Sequence, residues 1–298
     1  MELGFPFEES IRSLIPLVDE FVITVGQSRD ETLARVQALA HEYPQKIRII
    51  ETRWNEKMEQ KGFVYAQQKM IAQYSCTSDW VFYLEGDELI HEQDYATIRQ
   101  ALSLAHHHSS EPIEAIAFRY LHFYGSSQWL AVSPGWYRSE CRIIRNTLRS
   151  FAPDGQYWLV MKDHKRGRYP RALLSSAQIY HYGHARSIQR LQEKMNQVSR
   201  FWSHQPPKMD YSQMDPQALA RFQGSHPQLV HSWIQTECDP SFAPPASESH
   251  RPSRRDLRYR WMMRLERWLK TDLSRKNFKT VLRQSDAAPH QGLPKTGV

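Results

Sequence analysis

The chain has 298 residues, with 39 Lys+Arg against 32 Asp+Glu, a formal charge of +7. Hydrophobic residues make up 40% and aromatic residues 12%, which supports a sizeable core and excludes global disorder. No run approaches the ~18 uncharged apolar residues of a membrane span, and Glu2, Glu8 and Glu9 stand where a secretory signal needs a basic start.

The spacing of Phe7, Ile11 and Leu14 predicts a helix over 7–14, opened by Pro6 and closed by Pro16. Residues 21–25 are a β-branched and aromatic run and read as a buried strand. A helix over 31–43, a strand over 46–50, a helix over 62–74, a strand over 80–84 and a helix over 93–104 follow. In the 62–74 helix, Phe63, Ala66, Met70 and Tyr74 are expected to face inward. His106-His107-His108 reads as a helix end; consecutive residues point apart and cannot chelate as one face. The aromatic-rich stretch 118–135 reads as paired strands around Ser126-Ser127, and 162–171 as a basic loop. A strand over 177–182 precedes a helix over 187–201. Strand alternating with helix predicts an α/β fold with a parallel sheet covered on both faces.

In such sheets ligands bind beyond the carboxyl ends of the strands. Gly26-Gln27-Ser28-Arg29-Asp30-Glu31-Thr32 follows the first strand, Glu51-Thr52-Arg53-Trp54 the second, and Glu85-Gly86-Asp87-Glu88 the third. Carboxylates and hydroxyls therefore gather at one rim. A carboxylate at Asp87 can hold a hard divalent cation against a diphosphate. His181, at a strand end, is a candidate partner ligand, and Arg186, at a helix start, can hold phosphate oxygens. Pro153-Asp154-Gly155 reads as an ordinary turn.

In this order the motifs resemble a bacterial family 2-like glycosyltransferase of GT-A-type fold. The resemblance rests on residues 6–22, the Gly26–Thr32 turn, Trp80–Glu88 as a strand with a D-x-D-like turn, Phe151–Tyr157, Tyr180-His181-Tyr182-Gly183 with Ala185-Arg186 and Lys194, and His226-Pro227 with Trp233-Ile234. It implies a mostly parallel sheet flanked by helices, a nucleotide-sugar donor, and a divalent metal, Mn2+ or Mg2+. It also implies transfer to a hydroxyl of a glycan or lipid-linked acceptor, with inversion. Asp87, rather than the longer Glu85, would be the metal ligand, with His181 as the second. Ser28, Asp30, Trp54 and Arg186 would bind the donor, and Asp154 would be the catalytic base. Such folds begin with a central strand, yet only Leu3-Gly4-Phe5 precedes the first helix here. An upstream start is the expected explanation, ahead of a sheet closed without that strand or a degenerate copy.

The basicity is local. Residues 251–283 hold twelve Lys/Arg and three Asp/Glu, a balance of +9, which leaves −2 for the rest. Leu257, Trp261, Leu265, Trp268 and Leu269 recur at helical spacing and predict an amphipathic helix. Its apolar stripe either docks on the domain or lies on an anionic membrane surface. The expected organisation is a catalytic domain over 1–205, a helical extension over 206–283 and a flexible tail over 284–298. Cys76, Cys141 and Cys238 form neither a disulfide framework nor a C-x-x-C site, which points to the cytoplasm, with peripheral attachment to the inner membrane face through 251–283. The acidic rim argues against a nucleic-acid partner. The rival reading is a non-catalytic or degenerate relative that binds glycan or membrane.

Overall fold

The computed structural model describes residues 4–287 except 29, 56, 59, 164, 203, 204 and 249. Its strands are β1 (Phe21–Gly26), β2 (Ile47–Thr52), β3 (Trp80–Phe82), β4 (Glu88–Ile90), β5 (Ala115–Tyr124), β6 (Trp129–Ala131), β7 (Ser139–Arg145), β8 (Ser150–Phe151), β9 (Leu159–Met161), β10 (Gly167–Arg168), β11 (Arg171–His184), β12 (Leu219–Arg221) and β13 (Lys279–Arg283). The helices are α1 (Phe7–Leu14), α2 (Thr32–Glu42), α3 (Phe63–Ser75), α4 (Tyr95–His107), α5 (Ile188–Ser199), α6 (His231–Glu237), α7 (Arg254–Leu269) and α8 (Gln284–Ala287).

The fold is α/β with a mixed sheet flanked by helices. The sheet is not mostly parallel, because hairpin-like neighbours dominate its centre. β11 runs parallel to β5 and β13, but β7 lies antiparallel to both β5 and β3, β4 antiparallel to β11, and β6 antiparallel to β5 and β12. Nor is it one sheet. β1 and β2 form a separate parallel pair, and among the described residues no strand bridges β1 to β3.

One face of the large sheet packs on α1 and α4 through Leu14, Ile90, Ile98, Phe118, Ile143 and Leu173. The other buries Val81, Ile144, Trp158 and Val160 beside Met70 of α3. Two expectations for α3 fail. Phe63 and Tyr74 are 51% and 64% exposed, whereas Gln68, Lys69 and Gln73 are buried. The polar side chains go inside because partners wait there: Gln73 receives the Trp158 indole N–H and donates to Ser150 Oγ, and Gln68 receives the Thr52 hydroxyl.

The C-terminal part is not purely helical. β12 pairs with β6, and β13 extends the main sheet along β11. Residues 284–287 are not a loose tail either. Gln284 is buried, accepts from Ser175 and Ser176, and donates to the Thr97 carbonyl. The rest of the expected tail, 288–298, lies outside the described residues, as do Leu3, Arg29 and His164 of the motifs above.

Candidate functional site

Strand β11 builds the site. Its middle has a neighbour on each edge, with His181 opposite Glu88 of β4 and opposite His122 of β5. The turn before β4 is pinned to the same strand, since Tyr182 N–H donates to the Asp87 carbonyl at 2.8 Å. Asp87, His181 and His122 are thus gathered by register, from segments distant in sequence. Helix α5, capped by Ser187, adds Lys194 from above.

The side chains converge over Gly183. A Cβ there would stand 2.5 Å from Asp87 Oδ2, 2.6 Å from His181 Nε2 and 2.7 Å from Lys194 Nζ, so only glycine leaves room for all three. Lys194 Nζ donates to Asp87 Oδ2 at 2.9 Å, and His181 Nε2 lies 3.7 Å from Asp87 Oδ1. Burial alone would raise the Asp87 pKa. The Lys194 ammonium and His181 outweigh it and hold the carboxyl well below the usual range, so Asp87 is anionic.

The histidine protons follow from their partners. Burial and the neighbouring His181 hold the His122 pKa well below its ordinary value, so His122 is neutral. Its Nε2 lies 2.6 Å from the Tyr137 carbonyl, which can only accept, so Nε2 carries the proton. His122 Nδ1 is then bare and accepts from His181 Nδ1, 2.8 Å away. His181 Nε2 is thereby turned toward Asp87. A fixed tautomer with one nitrogen held from behind is the arrangement of a metal-ligating histidine. Nearby, burial and Lys194 hold His184 well below its ordinary pKa, and its buried Nδ1 has no hydrogen-bond partner among the described residues.

Behind this cluster lies a second charged layer. Arg142 is fully buried and grips Glu88 through Nε and Nη2 at 2.9 and 2.6 Å. Tyr120 donates to the same carboxylate. Glu88 is therefore structural. Arg142 also reaches Glu85 at 3.4 Å and the Gln156 carbonyl at 2.9 Å. Partial burial and the Glu88 carboxylate push the Glu85 pKa up to about 7. Lys69 lies 3.6 Å over Trp158 and 4.1 Å over Tyr83 and donates to the Gly155 carbonyl. Burial and Arg142 draw its pKa down to about 7.

The expected donor-binding residues are only partly collected. Arg186 is fully buried beside Phe5 and Trp233, with its guanidinium 4.7 Å from the Phe5 ring centre; Lys194 lies 5.1 Å from the same ring. Arg186 thus flanks the Asp87 cluster from beneath Phe5. Trp54 belongs to a separate aromatic cluster. It packs edge-on against Tyr65 and Phe201, its indole presses on Gly26, and its buried Nε1 has no hydrogen-bond partner among the described residues. Ser28 is exposed beyond β1, and Asp30 accepts from Thr32 N–H at the start of α2. Asp154 accepts from Gln156 N–H in its own turn. The next residue, Gly155, packs on Tyr65. Asp154 therefore sits by the Trp54 cluster, and no hydrogen bond or ion pair among the described residues joins it to Asp87. Helix α5 bridges the two places, with Lys194 at Asp87 and the following Phe201 at Trp54.

A three-residue group of metal-ligating side chains lies elsewhere, between the body and α7. Ligand atoms of Asp215, His250 and Asp256 all lie within 4.8 Å of one another, which makes them a candidate divalent-metal site of the kind a metal-dependent enzyme can use. None was expected from sequence, because the three are spread over loops and a helix start. Arg260 holds both Asp215 oxygens at 2.8 Å, so a cation there competes with an ion pair that anchors α7.

No family model matches the chain, and no curated protein matches it.

Proposed function

We propose that the chain is a glycosyltransferase of family 2-like, GT-A-type character. It moves a sugar from a nucleotide diphosphate-sugar to a hydroxyl of a glycan or lipid-linked acceptor on the cytoplasmic side of a membrane. The observation that carries this reading is the convergence of anionic Asp87 and the Nε2 of His181 over Gly183, with Asp87 on the turn that follows β3.

Asp87 and His181 would hold the Mn2+ or Mg2+, leaving the other coordination places to diphosphate oxygens and water. When bound, the cation neutralises charge developing on the leaving diphosphate. The chain's own groups do the rest. Lys194, 2.9 Å from Asp87, offers an ammonium to the same phosphates, with Arg186 behind it. The acceptor oxygen attacks the anomeric carbon as the bond to the diphosphate breaks, and its proton passes to a carboxylate on the opposite face. Asp154 is the base that the resemblance implies. Glu85 is held by Arg142 in the same turn as Asp87, on the diphosphate side, so it is not a candidate for that role.

Thermal unfolding with UDP, GDP, CDP and dTDP, each with and without Mn2+, tests the reading. One nucleotide should stabilise the protein by about 2.7 kcal/mol at a hundredfold excess over Kd, and only with Mn2+. Asp87→Asn should abolish that shift while the protein still melts cooperatively. A cooperative melt that no nucleotide moves, or a shift that survives Asp87→Asn, overturns the assignment and favours the binding-only relative.

A further inference from the structure

Helix α7 does not dock on the body through the exposed residues of its apolar stripe. Its inner face is polar and anchored: Arg260 pairs with Asp215, Glu266 pairs with Arg138 at 2.9 and 3.0 Å, and Tyr259 packs on Gly135. The apolar stripe faces out instead. Leu257 is 54% exposed, Trp261 62% and Trp268 78%. With Arg264 they form one line along the helix, at spacings of four, three and four residues. Leu269 is exposed beside them.

The same surface is basic. Arg254, Arg255, Arg258, Arg264 and Arg267 are exposed, and none has an ion-pair partner among the described residues. The helix's two acids are already engaged, Asp256 in the Ser253 capping box and Glu266 with Arg138. Among the described residues, no carboxylate on this face pairs with these five arginines.

We propose that α7 is a membrane-docking face that lies flat on an anionic bilayer surface. Two large, exposed indoles among uncompensated guanidinium groups match the headgroup boundary, where tryptophan rings settle and anionic lipid attracts arginine. The helix is 16 residues long, about 24 Å, and its capping box fixes its start, so the face is already formed in the protein alone. No helix among the described residues is long and apolar enough to cross a membrane, so attachment through α7 is peripheral.

The inner face of the same helix borders the candidate site. A groove of about 570 Å³ runs between α7, at Met263 and Glu266, and β5, at Tyr120 and His122. His122 is the residue that fixes His181. On the glycosyltransferase reading, an acceptor carried on a lipid headgroup reaches the cluster from this side; docking itself does not depend on that reading.

Co-sedimentation of the full chain with vesicles tests the proposal without any nucleotide. The protein should partition onto vesicles of phosphatidylglycerol mixed with phosphatidylcholine, and far less onto phosphatidylcholine alone, with affinity falling as salt rises. Brominated acyl chains should quench its fluorescence. The pair Trp261→Ser with Trp268→Ser should weaken partition by roughly tenfold and remove most of the quenching. Arg258→Gln, Arg264→Gln and Arg267→Gln together should weaken it by roughly a hundredfold. All five substituted positions are exposed, so the variants should melt as the parent does. Failure to bind anionic vesicles overturns the proposal. So does binding that neither set of variants changes, or a dimer that shields the two tryptophans before lipid is added. Because the nucleotide shift is a separate measurement, loss of one result leaves the other standing.

Discussion

Two regions of this molecule are dense in charge, and they handle it in opposite ways. Around Asp87 and Glu88 the charges are inside. Asp87 is 5% exposed and Glu88 0%, and each has a cation at hydrogen-bond distance. On α7 Arg254, Arg255, Arg258, Arg264 and Arg267 stand in water beside exposed tryptophans. In the interior, every charge must be matched at close range, and the mismatches that remain appear as displaced pKa values. At the surface, matching is unnecessary, and the uncompensated charge acts at a distance on whatever approaches. The same residue types therefore read as chemistry in one place and as recognition in the other.

The comparison breaks most severely at Glu88. Glu88→Ala would leave Arg142 buried, with Glu85 only as a distant partner. A loss of about 3–5 kcal/mol is expected, which lowers the melting temperature by roughly 10 °C in a chain of this size. The double variant Glu88→Ala with Arg142→Met should recover much of that loss, because it removes the stranded charge along with its partner. A Glu88→Ala protein as stable as the parent in denaturant titration would mean that the inner layer is not a matched network.

A smaller effect, with a definite sign, is expected at Lys69. Its pKa falls from 10.5 in the unfolded chain to about 7 in the fold. Between those values the unfolded state binds more protons, so this group makes stability rise with pH across that window, by up to about 1.4 kcal/mol per pH unit. Lys69→Met should flatten the slope by close to one proton while keeping the apolar stem that lies along Trp158 and Tyr83. Unfolding measured at several pH values between 7 and 10 reads this directly. An unchanged slope would show that Lys69 keeps its proton in the fold.

What the sequence revealed follows the same division. The strands before the rim were legible because β-branched runs such as Phe-Val-Ile-Thr-Val have few other uses, and the structure places β1, β2 and β3 within a residue or two of those runs. Asp87 and His181 stood out as polar residues beside apolar runs, although His181 lies within β11 rather than at a strand end. His122 did not. Its role depends on β5 lying parallel to β11 in one register, and nothing local in Phe118–Tyr124 specifies that neighbour. Lys194 was visible only through the family resemblance, since one lysine on a polar helix carries no signal of its own. The inward polar face of α3 was misread for a related reason: apolar spacing cannot anticipate Gln73 and Lys69, whose partners, Trp158 and Gly155, lie far along the chain. Long-range pairing is the part of the site that one-dimensional periodicity omits.

The smallest expected effect sharpens the comparison best. Trp268 is 78% exposed, and its large ring contributes little to the core of the isolated protein. Trp268→Ser should therefore change unfolding stability by no more than about 0.5 kcal/mol, the range of ordinary surface substitutions. A buried tryptophan would cost several times more. Trp158, fully buried and hydrogen-bonded to Gln73, supplies that control in the same molecule: Trp158→Ser should cost about 3–5 kcal/mol. Equal losses at the two positions would mean that α7 packs its stripe inward in solution, and the distinction between matched and uncompensated charge would fail at its outer member. A near-silent Trp268→Ser would leave a residue whose size and apolarity the fold does not use, and would direct attention to what lies outside it.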